Sequence, residues 1–143
     1  MFEKTQISSE KVAAYLRTTY RLDFPSNPIH LKVGEFSIEL ENIFRSKHIH
    51  CAAFITAYNP QGTQVSNQKN IESHTKLLNE IQKLSLEFIE GSGYEEGTDW
   101  PSEKSLFILD LSLDQTRRIG SLFEQDAVVW VGDTLLPELI LLR

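Results

Sequence analysis

Cysteine is nearly absent. Cys51 stands alone among 143 residues, so no disulfide can close within the chain and no paired-cysteine metal site exists. Long apolar runs are also missing, and no stretch approaches the roughly 20 residues that a membrane-crossing helix requires. The opening Met1-Phe2-Glu3-Lys4-Thr5-Gln6 has neither the basic n-region nor the apolar h-region of a signal peptide. Familiar catalytic signatures are lacking: there is no G-x-S-x-G elbow and no phosphate-binding P-loop. Gly91-Ser92-Gly93 lacks the final glycine and following helix of a dinucleotide fingerprint. Basic charge is scarce in the larger part of the chain. Residues 1–50 carry a net +1, residues 51–143 a net −7, and six acids but no base lie between Glu87 and Glu103. Such a surface repels a polyanion. These absences predict a cytoplasmic protein with no nucleic-acid partner, no membrane partner, no metal and no cofactor.

What is present is ordinary in amount and informative in order. A hydrophobic content of 41% and a charged content of 24% suit one globular domain, with enough length to bury about two-thirds of its unfolded surface. Cys51, set in the apolar run Ile49–Ile55, reads as a small buried residue. Pro25-Ser26-Asn27-Pro28 separates an N-terminal helical extension, 1–28, from an α+β core, 29–143. In the extension Ser8 or Ser9 caps a helix running to about Tyr20, with Val12, Tyr15, Leu16 and Tyr20 on one stripe. A short strand at 29–33, a turn at Gly34 and a helix at about 37–46 follow. The run 49–57 reads as a fully buried strand.

Beyond that strand, Ser66 or Asn67 caps a helix to about Leu84, its inward face marked by Ile71, Leu77, Leu78, Ile81 and Leu84. A strand at 86–89 runs into the Gly91–Gly93 loop, and 105–111 is a second continuous apolar strand. Ser112-Leu113-Asp114-Gln115 is a capping box opening a helix to about Phe123. Strands at 127–131 and 136–142 flank the Gly132-Asp133 turn. From Ile49 to Val131 the order is β-α-β-β-α-β, which predicts a ferredoxin-like (split β-α-β) core with an added N-terminal helix, β-α unit and C-terminal strand.

This topology brings separate strand ends to one rim. Thr56, Tyr58 and Asn59 end the first core strand, Glu103 and Ser105 begin the third, and Gln125 precedes the fourth. Ser66 and Asn70 open the helix after the first strand, and Tyr58 and Trp100 supply aromatic walls. As structural residues, Asn59 would brace its own turn, Ser66 would cap a helix, and Trp100-Pro101 would plug the end of the core as a buried ring. Glu103 is the strongest functional candidate, since a carboxylate beside a central strand is costly unless paired or used. Its expected structural partner is Lys69 or Arg118. His48 and His50 alternate at a strand mouth without evident carboxylate co-ligands.

The stretches Thr56-Ala57-Tyr58-Asn59-Pro60, Trp100-Pro101-Ser102-Glu103-Lys104-Ser105 and Phe123-Glu124-Gln125-Asp126-Ala127 give T-A-W/Y-N-P, W-P-x-E-x-S and F-x-Q-x-A in that order. In these motifs the chain resembles a bacterial family, domain of unknown function 3293, over roughly Ile29 to Arg143. It departs from the pattern at Lys104 and in the acidic character of Glu124 and Asp126. The resemblance implies a small cytoplasmic single-domain protein whose motif residues belong together, and it assigns no reaction. Two classes of function follow. One is a small-molecule or peptide-binding module using Thr56, Tyr58, Asn59, Ser66, Asn70, Trp100, Glu103, Ser105 and Gln125. The other is an interaction or regulatory protein that holds a protein partner on the acidic stretch 87–103 or on an exposed sheet face.

Overall fold

Side-chain capping sets where the helices begin. The computed structural model describes residues 5–143; residues 1–4, where the signal-peptide reading begins, lie outside the described residues. Ser8, Ser37, Ser66 and Ser112 each accept a backbone N–H in the first turn of the helix they cap, opening α1 (Ser9–Arg17), α2 (Ile38–Lys47), α3 (Asn67–Lys83) and α4 (Leu113–Leu122). The capping box before α4 is complete, with the Gln115 side chain reaching back to the Ser112 backbone.

The strands are β1 (Thr19–Leu22), β2 (Ile29–Leu31), β3 (Ala52–Thr56), β4 (Phe88–Tyr94), β5 (Glu103–Leu109), β6 (Ala127–Val131) and β7 (Glu138–Leu141). They form one sheet in the order β2-β1-β4-β5-β3-β6-β7, each strand antiparallel to its neighbours. Alternation along the central strands splits the core in two. Ala52, Phe54, Phe107, Leu109, Val129 and Val131 face α1 and α2, while Ala53, Ile55, Leu106, Ile108 and Val128 face α3 and α4. The result is a mixed helix–sheet domain with helices on both faces. None of its described helices is long and apolar enough to cross a membrane.

Three expectations are corrected. The first helix ends at Arg17 instead of Tyr20, and Thr19–Leu22 becomes β1 within the expected helical extension, hydrogen-bonded to β2 on one side and β4 on the other. Pairing on both sides of β-branched and aromatic residues outweighs the helical spacing of the tyrosines. Gly91–Gly93 is not a loop but the far half of β4. A Cβ on Gly91 would lie 2.1 Å from the Arg21 carbonyl oxygen and 3.2 Å from the Phe54 ring, so glycine is needed for the close approach of β1. On α3 the inward stripe is Asn70, His74, Leu77 and Ile81, while Ile71 and Leu84 are exposed. The first two turns of this helix meet the polar rim of the sheet, and Ile71 sits about 100° off the stripe.

Candidate functional site

Register across the sheet creates a space. On the face covered by α1, large side chains line up as Phe107, Phe54, Val129 and Leu139 on neighbouring strands. Toward the rim the rows shrink. Gly91, Ser105 and Thr56 form one, and Tyr20, Gly93 and Glu103 form the next. Because Gly93 has no side chain, a gap opens between the Tyr20 ring and the Glu103 carboxyl. The α1 residues Lys11, Ala14 and Tyr15, with the C-cap Thr18, roof it, and a cavity of about 380 Å³ results. All four tyrosines of the chain, Tyr15, Tyr20, Tyr58 and Tyr94, line this cavity together with Phe54 and Trp100.

Asn59 is the hub at the polar end. It follows the β3 strand in a left-handed conformation (φ 48°) that asparagine tolerates, and Pro60–Gly62 continue as a short 3-10 turn. Its Oδ1 accepts from the Val65 backbone N–H at 3.1 Å and from Asn70 Nδ2 at 3.0 Å. Two donors on one oxygen fix the orientation of the amide, so Nδ2 is the group that donates to Glu103 Oε2 at 2.7 Å. The Asn59 backbone N–H donates to Asn70 Oδ1 at 2.8 Å. Gln125 Nε2 donates to the Tyr58 carbonyl at 3.0 Å, and Thr56 Oγ1 donates to the Lys104 carbonyl at 2.6 Å while accepting from the Tyr58 N–H. Ser105 Oγ donates to the Glu103 carbonyl at 3.0 Å.

Among the described residues Glu103 therefore has only neutral partners. Trp100 Nε1 donates to the same Oε2 at 3.2 Å, and among the described residues Oε1 accepts no hydrogen bond. The expected ion pair with Lys69 or Arg118 is not formed. Both of those side chains belong to helices on the opposite face of the sheet from the one that Glu103 occupies. Burial raises the pKa of Glu103 above its ordinary 4.5, and the Asn59 and Trp100 hydrogen bonds offset part of that rise. Burial also raises the Tyr58 hydroxyl, with the Glu103 charge adding to it. Tyr15 is pushed up to about 12, by burial first and then by the Asp126 and Glu103 carboxylates.

Of the residues expected at this rim, Thr56, Tyr58, Asn59, Asn70, Trp100, Glu103, Ser105 and Gln125 come together. Ser66 does not join them; its side chain caps α3 through the Lys69 N–H and lies outside the cavity. Trp100 is not the buried plug that was expected. It is 44% exposed and forms part of the cavity mouth, held by its bond to Glu103 within the loop between β4 and β5. Cys51 is only half-buried, just ahead of β3, and burial together with Asp110 and Asp133 raises its thiol pKa. His48 closes α2 as its left-handed C-cap, and exposed His50 lies 3.8 Å from Asp133. No group of three or more His, Cys, Asp or Glu with metal-binding geometry occurs among the described residues.

Several site residues were missed by the sequence reading. Lys11 bonds Asp126 Oδ2 and the Gln61 carbonyl, both at 3.1 Å, and Arg143 Nε bonds Asp126 Oδ1 at 2.7 Å. The Asp126 carboxylate is fully buried between these bases. His74 is buried, with Nδ1 unpartnered among the described residues and its ring edge-on to Tyr58 at 6.3 Å. The available signals were the tyrosine spacing on α1 and β1 and an acid inside the Phe123–Ala127 motif. Neither gives a position without knowledge of how α1 packs.

Fold and site define a mixed helix–sheet domain with a polar-mouthed, aromatic-walled cavity under its first helix. The chain belongs to the family described as Protein of unknown function (DUF3293), whose model matches residues 55–128. That span carries every polar residue of the rim cluster, whereas the roof from α1 and β1 lies outside it. No curated protein and no solved structure gives a significant match.

Proposed function

We propose that this protein is a small-molecule binding module, built on a ferredoxin-like core, that holds its ligand in the cavity between α1 and the sheet. The strand order β4-β5-β3-β6, with α3 and α4 on one face, supports the core assignment. The observation that carries the function is the cavity itself: about 380 Å³, walled by the four tyrosines, with Glu103 at its mouth unpaired with any cation among the described residues. That volume lies at the small end of the roughly 300–1,000 Å³ range of ligand pockets, and an apolar lining with a few convergent polar groups is their usual make-up. Docking of a partner protein on the acidic stretch has less support. Glu87 and Glu95 are already bound by Lys47 and Arg17, and helices cover both faces of the sheet.

A thermal-shift screen against metabolites, nucleotides and divalent metals tests the reading. A ligand at 100 times its dissociation constant stabilises by about 2.7 kcal/mol. The expected result is a compound that raises the melting temperature of the wild type but not of Ala14→Trp, whose ring fills the cavity from α1. If every hit stabilised Ala14→Trp equally, or no compound bound, the cavity would not be the site.

A further inference from the structure

Charge accounting around the cavity narrows the ligand. Among the described residues three ionisable side chains of the Lys, Arg, Asp and Glu type line it: Lys11, Glu95 and Glu103. Lys11 is held by Asp126 at 3.1 Å, and Glu95 by Arg17 at 3.3 Å. Among the described residues Glu103 has no cation and keeps Oε1 free of hydrogen bonds, and it is fixed in place by Asn59 and Trp100. An anionic ligand would find no available base here and would face this carboxylate at close range. A neutral ligand would leave the carboxylate buried without a counter-charge, which is costly.

The walls favour the same sign. Aromatic faces attract cations, and the tyrosine and Trp100 rings surround the space next to Glu103. A primary or secondary ammonium also carries N–H donors for Oε1, which a quaternary ammonium lacks. The far end of the cavity, at Phe54, Val129 and Leu139, is apolar and takes a hydrocarbon body.

We infer that the ligand is a small organic amine in its protonated form, with its ammonium group on Glu103 Oε1 and its apolar body against the Phe54–Val129–Leu139 floor. This inference rests on the cavity being the binding site. Three probes of similar shape separate the two ideas: phenethylammonium, phenethyl alcohol and hydrocinnamate, titrated by calorimetry into the full chain at neutral pH. Phenethylammonium should bind at least about tenfold more tightly than the alcohol, as a charge-assisted hydrogen bond with cation–π contact allows, and hydrocinnamate should bind weakest. Glu103→Gln should bring the ammonium and alcohol affinities within about twofold of each other, because Gln keeps an acceptor for Asn59 and Trp100 but removes the charge.

Equal or tighter binding of the alcohol or the anion to the wild type overturns the amine assignment while leaving the cavity as the site. So does an ammonium preference that survives in Glu103→Gln. Failure of all three probes overturns the assignment too; the metabolite screen with Ala14→Trp then decides separately whether the cavity binds anything. The wild-type comparison needs no variant, so a poorly folding Glu103→Gln would not shelter the proposal.

Discussion

Glu103 and His74 are two residues at which the folded state opposes an ionised side chain within the range of ordinary pH. Burial raises the Glu103 carboxyl above its ordinary 4.5, so the native chain retains this proton to a higher pH than the unfolded chain does. Stability tied to this group is therefore greatest below 4.5 and declines as pH rises to the raised native value; at neutral pH the full deficit is present. Glu103→Gln escapes that deficit. It should melt no lower than the wild type at neutral pH, and its advantage should vanish on acidification. A clear loss of stability at neutral pH would make Glu103 a structural residue. The sign for His74 differs. Burial lowers its pKa below 6.5, Lys104 adding to the effect and Glu90 opposing it, and among the described residues Nδ1 has no partner to favour the charged ring. The unfolded chain then binds the proton first, so stability falls as pH drops below 6.5. Denaturant titrations across this window should show a shallower slope for His74→Leu than for the wild type; equal slopes would mean the ring is solvated in the native state.

At the scale of elements, the serine caps and the two apolar strands were legible because their signals are local. Ser8, Ser66 and Ser112 announce helices by a short-range hydrogen bond, and continuous apolar runs announce strands buried on both sides. β1 and the outer half of β4 were not legible, since each exists through the other. Thr19 and Tyr20 read as the end of a helix until Gly91 lets the β1 backbone approach, and Gly91–Gly93 read as a loop until β1 is there to pair. The rim cluster followed from strand order alone, whereas the cavity required this mutual pairing and the α1 roof. Gly91→Ala tests the dependence directly. Its methyl group would sit against the Arg21 carbonyl, and overpacking of this kind costs about 1–3 kcal/mol or more. Hydrogen exchange should accelerate first in Thr19–Leu22, while β3 and β5 keep their protection. Uniform loss across the sheet, or none, would show that β1 is not a separate docking unit.

For the whole molecule, the question is what holds the roof on the cavity. α1 touches the core through Val12 and Tyr15 below and through Lys11 at its side, where Lys11 and Arg143 grip the same buried Asp126. The segment before α1 is joined to Arg143 as well, the Gln6 N–H donating to its carbonyl at 3.2 Å. Asp126, just ahead of β6, thus ties together the helix over the cavity and Arg143 beyond β7. Breaking a fully buried pair costs about 3–5 kcal/mol. Here the two bases are 42% and 35% exposed and can turn to water once the acid is gone, so Asp126→Ala should cost less, about 1–3 kcal/mol. Its effect on binding should be the larger fraction, because α1 supplies Ala14 and Tyr15 to the cavity wall but contributes nothing to the pairing of the central strands. Ligand affinity should fall at least about tenfold under conditions where the variant remains folded, a change equivalent to about 1.4 kcal/mol. An affinity that tracked only the small fraction unfolded would mean that the floor and rim hold the ligand without the roof.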